Sequence, residues 1–251
     1  MSWPVGVATF LYVGPSASLN LLGQFELSRL GTRVELAPAG QRVLSLLALL
    51  GGNAHRLRLA GTLWPDQCEA RSLSNLRSAM WRLPEPARDL VQRRGNSLTL
   101  GSDVAVDLDA AHGLAKSLAS DHDGLALASV DRDLLARDLL PNEDDAWLVV
   151  PREQHRQRRL HALESLALHD LRDGRPFDAV DTALVAVAAD PLRESAQLLL
   201  VRAHLEAGNR AAAVQHFDRF RDQLAQELGV APSRRLTELV SGMAGARVTP
   251  A

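Results

Sequence analysis

Residues 66–83 read DQCEARSLSNLRSAMWRL, and this stretch decides what kind of protein the chain builds. Asp66 with Glu69 three residues later predicts an Asp version of the capping box, and Pro84 forbids continuation of the helix. Between them Leu73, Leu76, Met80 and Leu83 recur at helical spacing and predict a single apolar stripe. On the same wheel Arg71, Ser74, Asn75, Ser78 and Arg82 fall opposite the stripe, with Arg77 and Trp81 at one flank. That outer face has no carboxylate. An ordinary surface helix mixes both signs of charge, whereas guanidinium, amide and hydroxyl groups alone are the inventory that reads phosphates and base edges in a DNA major groove. A solvated face that happens to lack acids is the alternative.

Outward from this helix, the 251 residues are enough for about two domains of ordinary size. An apolar fraction of 46% and a charged fraction of 23% are those of a soluble globular protein. The net charge of −2 argues against a generally basic nucleic-acid binder, but it averages two unlike regions. Residues 54–100 hold eight Arg against four acids, a local +4, whereas residues 110–251 hold 17 basic and 21 acidic residues, a local −4. Cys68 is the sole cysteine, which excludes an intramolecular disulfide and a Cys-rich metal cluster and fits a reducing cytosol. The apolar run Val5–Val13 follows no Lys or Arg and is too short to span a bilayer, so residues 1–18 are expected to be an N-terminal tail and the protein cytoplasmic.

In chain order, Leu19–Ser28 and Arg33–Leu36 are expected as strands around the turn Leu30-Gly31-Thr32. Pro38 opens a helix that is apolar almost all round (Val43, Leu44, Leu46, Leu47, Leu50) and stops at Gly51-Gly52, so it belongs at the centre of its domain. A short helix over Arg56–Trp64, with Leu57, Leu59 and Leu63 inward, turns at Pro65-Asp66 into the two-faced helix, completing a helix-turn-helix. Leu90–Arg93 and Ser97–Leu100 predict a hairpin around Arg94-Gly95-Asn96 whose tip carries Arg93 and Arg94. Val104–Leu108 alternates as a strand. Helices are expected over Ala110–Leu118 and Leu125–Leu139, with a turn at Asp121–Gly124.

Glu143-Asp144-Asp145 is expected to open a long helical region to about Asp173, kinked or restarted at Pro151. The acidic triplet favours a helix N-terminus and cannot converge on one ion from a single helix, so no metal is assigned to it. Beyond it Gly174-Arg175-Pro176-Phe177-Asp178-Ala179-Val180 recurs as Gly208-Asn209-Arg210-Ala211-Ala212-Ala213-Val214, and Leu166 and Leu171 recur as Leu200 and Leu205, all at an offset of 34 residues. Thirty-four is the tetratricopeptide period: helix pairs broken by Gly that must stack to bury their apolar faces. His204 and His216 lie in this array without Cys or carboxylate at ligand spacing and are expected to pack.

The order of small sheet, three helices and basic hairpin resembles the OmpR-type winged helix-turn-helix. In detail LAPAGQRVLSLLALL (36–50), LRLAGTLWPD (57–66) and ARSLSNLRSAMWRL (70–83) resemble the DNA-binding half of the SARP class of bacterial transcription activators. AVQHFDRFRDQLAQELGVAPSRRL (213–236), preceded by PLRESAQLLLVRAHLEAG (191–208), is similar to the end of the bacterial transcriptional activator domain that follows it in that family. The resemblance covers residues 19–243. Two departures are Gly61 inside a helix and His55 where a Ser or Thr cap is expected.

The expected fold is therefore mainly α: a winged helix-turn-helix at 19–109, followed by an all-α tetratricopeptide-like array at 110–246. The chain carries no GxxxxGK[ST], GxSxG or HExxH, and neither an enzyme nor a cofactor is expected. What the resemblance implies is a sequence-specific activator that binds promoter direct repeats in double-stranded DNA and contacts RNA polymerase, including its sigma factor. A second copy side by side on DNA is a further expected partner, and no membrane is involved. Arg71, Ser74, Asn75, Arg77, Ser78, Arg82, Arg93 and Arg94 are the expected DNA contacts. The alternative is a protein-interaction scaffold without specific DNA binding.

Overall fold

The computed structural model describes residues 15–120 and 131–244. The chain divides into two compact units, the first formed by the described residues up to Asp109 with Leu140–Leu148, the second by Ala110–Leu139 with the residues from Val149 onward.

In the first unit β1 (Ala17–Asn20), β2 (Glu26–Arg29) and β3 (Thr32–Arg33) form a meander, and β7 (Val104–Val106) joins β1 in parallel, giving the order β3-β2-β1-β7. Leu19–Ser28 is thus two strands, because Gly23 at φ 88 reverses the chain and Leu19 pairs with Leu27. Alternation continues through the turn, which is why the sequence reads as one strand. Only Thr32–Arg33 of the next segment pairs, and Val34–Ala37 runs on towards Pro38.

Helix α1 (Pro38–Leu49) carries Pro38 in its first turn and buries Gly40 and Val43–Ala48. Gly51 and Gly52, at φ 77 and 74, turn the chain into β4 (Asn53–His55), a strand the sequence reading lacks. Helix α2 (Arg56–Leu63) is capped by His55, whose Nδ1 accepts from the Leu57 amide at 3.3 Å, so the unusual cap residue still serves. Leu59, Ala60 and Leu63 face inward, whereas Leu57, expected inside, is 43% exposed at the helix start. Helix α3 (Glu69–Trp81) and a short α4 (Glu85–Arg88) lead to β5 (Val91–Arg94) and β6 (Ser97–Leu100). β4, β6 and β5 form a second sheet in which Arg94 faces Ser97 across the Gly95-Asn96 turn.

Residues 140–148 return to this unit. The Leu140 amide donates to the Leu21 carbonyl at 2.9 Å, and the Asp145 carboxylate accepts from Arg42 Nε at 2.9 Å and Nη2 at 2.5 Å. The same Nη2 reaches the Leu63 carbonyl at 2.9 Å, so one guanidinium joins α1, the end of α2 and this strap. The acidic triplet directly precedes the helical region it is expected to open: a 3-10 turn at Ala146–Leu148, whose Leu148 amide donates to the Asp145 carbonyl at 2.9 Å, runs without a break into α7 (Val149–Arg172). Pro151 falls in the first turn of α7, where its missing N–H has no intrahelical partner to lose, and the helix runs on to Arg172.

In the second unit α5 (Asp107–Ala119) begins three residues earlier than its pattern predicts. The expected turn at 121–124 and the start of the helix from Leu125 lie outside the described residues; of that helix α6 (Arg132–Ala136) is present, capped by Asp131 and ended before Leu139. Helices α7 and α8 (Pro176–Ala189), then α9 (Glu194–Glu206) and α10 (Arg210–Leu228), are the two hairpins of the repeat, and α11 (Arg234–Ala244) follows. The repeat holds at the level of hydrogen bonds. Gly174 N–H donates to Leu171 O and Arg175 N–H to Asp170 O, and 34 residues on Gly208 donates to Leu205 and Asn209 to His204. Gly174 and Gly208, at φ 70 and 78, supply the left-handed residue this helix ending demands.

Leucines and alanines fill the space between the helices: Leu160, Leu163 and Leu166 with Ala186 and Ala196, then Leu171 and Leu200 with Ala179 and Ala183. Ion pairs stitch their edges. Asp170, with no exposed surface, is held by Arg132 and by Arg175 at 2.8 Å, and Arg193 between α8 and α9 grips Glu164 on α7. His204 and His216 do pack, ring on ring at 5.0 Å.

Asp170 is fully buried while its two arginines keep about a third of their surface in water, so Asp170→Asn is expected to cost about 1–3 kcal/mol through lost charged hydrogen bonds, measured by denaturant unfolding. A second expectation concerns pH. Burial lowers the histidines at 204 and 216, and His112 falls to about 4 through burial, Arg158 and His155. The unfolded chain therefore binds protons that the fold refuses, and stability is full above pH 6.5 and lost as pH falls from 6.5 towards 4. The melting temperature should drop across that window, and less so in a His204→Phe, His216→Phe protein.

Candidate nucleic-acid interface

Helix α3 begins after Cys68, and Asp66 is not its cap, because Pro65–Gln67 form a turn in which the Gln67 amide donates to the Trp64 carbonyl at 3.2 Å. Ser72 holds this turn from inside: its buried Oγ lies 3.1–3.3 Å from the carbonyls of Trp64, Gln67 and Cys68. The buried stripe is consequently Ser72, Leu76, Ala79 and Leu83, and Leu73 and Met80 are half-buried at its edge. An apolarity count passes over Ser72 and Ala79, so the wheel in the fold is turned by about half a residue step from the one apolar spacing predicts.

Two contacts set how α3 lies. A Cβ on Gly40 of α1 would stand 2.8 Å from Leu83 Cδ2, so glycine leaves room for the Leu83 side chain just past the end of α3. At the other end Arg88 of α4 donates through Nη2 to the carbonyls of Trp81 and Leu83, both at 2.7 Å, and places a positive charge on the C-terminus of α3.

With the wheel turned, Trp81, 78% exposed, comes near the middle of the outward face, with exposed Arg77 and Ser78 on either side of it. Two grooves separate this side of α3 from the β5–β6 hairpin. One, about 460 Å³, has Arg56, Glu69, Ala70, Leu73, Arg77 and Asn96 in its walls, so it carries one carboxylate beside its arginines; the other, about 300 Å³, has Arg56, Arg77, Met80, Trp81 and Arg93. Arg56 and Arg77 belong to both.

The structure thus brings Arg77 and Arg93 together and adds Arg56 and Trp81, which the sequence reading does not assign. Arg56 escapes notice because it lies outside the recognition helix, at the start of the helix before it; its signal is that it starts α2 directly after a strand paired to the hairpin. Arg71, Ser74, Asn75, Ser78 and Arg82 line neither groove; Arg71, Ser78 and Arg82 are exposed, and Ser74 and Asn75 are half-buried. Arg94, exposed, points to the opposite side of β5 from Arg93, as alternation requires.

Among the described residues none of Arg56, Arg58, Arg71, Arg77, Arg82, Arg93 or Arg94 has a carboxylate partner, whereas Arg29, Arg33 and Arg42 in the same unit are ion-paired. In the second unit Arg132, Arg156, Arg159, Arg175, Arg193, Arg202, Arg221 and Arg234 are paired, while Arg158, Arg210, Arg219 and Arg235 have no carboxylate partner among the described residues. Charge left uncompensated on one helix and one hairpin tip is available to an outside anion.

A small sheet, a three-helix core with a two-faced third helix, a hairpin wing and a separate array of helical hairpins define the class: two-part proteins that join a winged helix-turn-helix to a helical repeat. Residues 105–242 match the model of the bacterial transcriptional activator domain. The chain belongs to the SARP family of bacterial transcriptional regulators. It is 31% identical over 232 residues to the regulatory protein AfsR of Streptomyces coelicolor, covering 88% of this chain and 23% of AfsR. It is 28% identical to the regulatory protein DnrI of Streptomyces peucetius, covering 88% of this chain and 89% of DnrI. The solved structure of Mycobacterium tuberculosis EmbR in complex with a low affinity phosphopeptide superposes with a TM-score of 0.64 at 18% identity, covering 94% of this chain and 66% of EmbR, a likeness of fold. No helix among the described residues is long and apolar enough to cross a membrane.

Because buried Leu83, just past α3, packs on Gly40 of α1, Gly40→Val should overpack that contact, cost about 1–3 kcal/mol and shift the end of α3. Thermal unfolding measures the first effect, and amide chemical shifts along α3 the second.

Proposed function

We propose that the chain is a sequence-specific DNA-binding transcription activator, and the observation that carries this reading is the set of uncompensated arginines on α3 and the β5–β6 tip. In this reading Arg77, Arg93 and Arg56, which line one groove, take phosphates, and Arg71, Arg82 and Arg94 extend the contact. Asn75, Ser74 and Ser78 read base edges, Asn75 through the pair of bonds an amide makes with adenine. The DNA-reading part is then the winged helix within residues 19–109 braced by the 140–148 strap, and the activator part the remaining helices to about 246. Direct repeats fit the absence of any two-fold requirement in this reading: two copies stand in the same orientation side by side on one face of a promoter. The helical array, with its local charge of −4, is repelled by phosphates and is assigned to RNA polymerase and its sigma factor, where tethering beside the promoter lets weak contacts count.

Quantitative footprinting of the full chain on promoters of its genomic neighbourhood, repeated across salt, tests the reading. Affinity should fall with a slope near −0.9 per phosphate neutralised. Arg77→Ala and Arg93→Ala should weaken all sequences alike and flatten that slope by about one unit each, while Asn75→Ala should cost about 1–3 kcal/mol and relax preference at one or two base pairs. Folded variants that leave slope and preference unchanged would remove α3 and the hairpin from DNA and leave the protein-scaffold alternative standing.

A further inference from the structure

A second basic cluster lies far along the chain from the proposed DNA contacts, in the helical unit. Helix α5 presents His112, Ala115, Lys116 and Ala119 at positions i, i+3, i+4 and i+7, which one helix face brings into line. Arg158 and His161, one turn apart on α7, stand across from them, and the six residues enclose an open groove of about 480 Å³. Its apolar part is the two alanine methyls, and its rim is basic.

The groove is set up for a negative group in three respects. Lys116 and Arg158 have no carboxylate partner among the described residues, in contrast to the ion-paired arginines elsewhere on α7, Arg156 and Arg159. Glu164, the acid one turn beyond His161, is engaged by Arg193 at 2.6 Å and by the Ser195 hydroxyl, and of the six lining residues its charge acts on His161, away from Lys116 and Arg158. Arg158 Nη1 lies 3.5 Å from His112 Nε2, and a guanidinium only donates, so the imidazole accepts and helps to aim the fork. Burial, Arg158 and His155 push His112 down to about 4, which keeps that acceptor neutral at physiological pH.

We propose that the groove between α5 and α7 binds a small amphiphilic carboxylic acid, with its carboxylate on Arg158 and Lys116 and its hydrocarbon part over Ala115 and Ala119. Two parallel guanidinium bonds suit the flat carboxylate, and the alanines leave room for carbon where larger side chains would fill the groove. Such a ligand would act on the helical unit independently of DNA binding, so this inference stands or falls apart from the function proposed above.

Octanoate serves as the probe, titrated into the full chain by calorimetry and followed by the ring-proton resonances of His112. Saturable binding of octanoate, with acetate and octanamide each binding at least about tenfold more weakly, is the expected result, since one lacks the hydrocarbon and the other the charge. Bound octanoate should also raise the pKa of His112, because a nearby anion favours imidazolium. Arg158→Gln should lose about tenfold in octanoate affinity, and Arg158→Lys should retain part of it, in variants whose melting temperature matches the parent. Equal binding of octanamide, equal binding of acetate, no binding of octanoate, or an unmoved His112 would each overturn the assignment.

Discussion

Helix α1 has almost no surface that water can use, and the first unit is built to cover it. Gly40 and the run Val43–Ala48 are buried, so α2, α3 and the β4–β6 side must each close one flank. Burying leucine side chains in this way contributes about 1.5–3 kcal/mol each, more than any surface ion pair in the unit offers. The orientation of the proposed recognition helix is a consequence of that demand. Leu76, Ala79 and Leu83 go down onto the core, and whatever lies opposite them on α3 is left for an outside partner.

The strap at 140–148 shows how the same demand reaches across the sequence. Arg42 sits on α1 beside that core, partly shielded from water, and needs its charge answered. Asp145 supplies a two-point acceptor and the Leu63 carbonyl a third site, so a segment 103 residues away along the chain completes the first unit. The second unit works by simpler means. Its glycine-ended hairpins are self-similar, alanines let neighbouring helices approach, and arginines outside the helix seams tie one hairpin to the next.

Elements governed by their own residues could be read in advance. The α1 boundaries follow from Pro38 and the Gly51-Gly52 pair, β6 from its alternation, and the 34-residue repeat from Gly174 and Gly208, since each depends on local dihedral freedom or on chain-local periodicity. The misreadings occur where local signals point two ways. Asp66 and Glu69 have the spacing of a capping box, yet the Pro65–Gln67 turn stabilised by Ser72 starts the helix at Glu69. The acidic triplet does precede a helical run, but the sequence does not show that the Asp145 carboxylate is also claimed by a distant arginine.

What the sequence determined by itself is the kind of protein: a donor-rich helix behind a buried one, a basic hairpin after it, and an array of Gly-broken helix pairs of tetratricopeptide length. Only the tertiary structure decided which way the donor-rich helix faces. A hydroxyl as buried as Ser72 and a methyl as small as Ala79 count as core only when neighbouring chain surrounds them, and turning α3 towards them brings Trp81 to the front with Arg77 beside it. The meeting of Arg56, Arg77 and Arg93, from a helix start, a helix face and a strand, was equally invisible beforehand. Periodicity reports which residues share a face, but the direction of that face is set by close packing against elements far away in the chain.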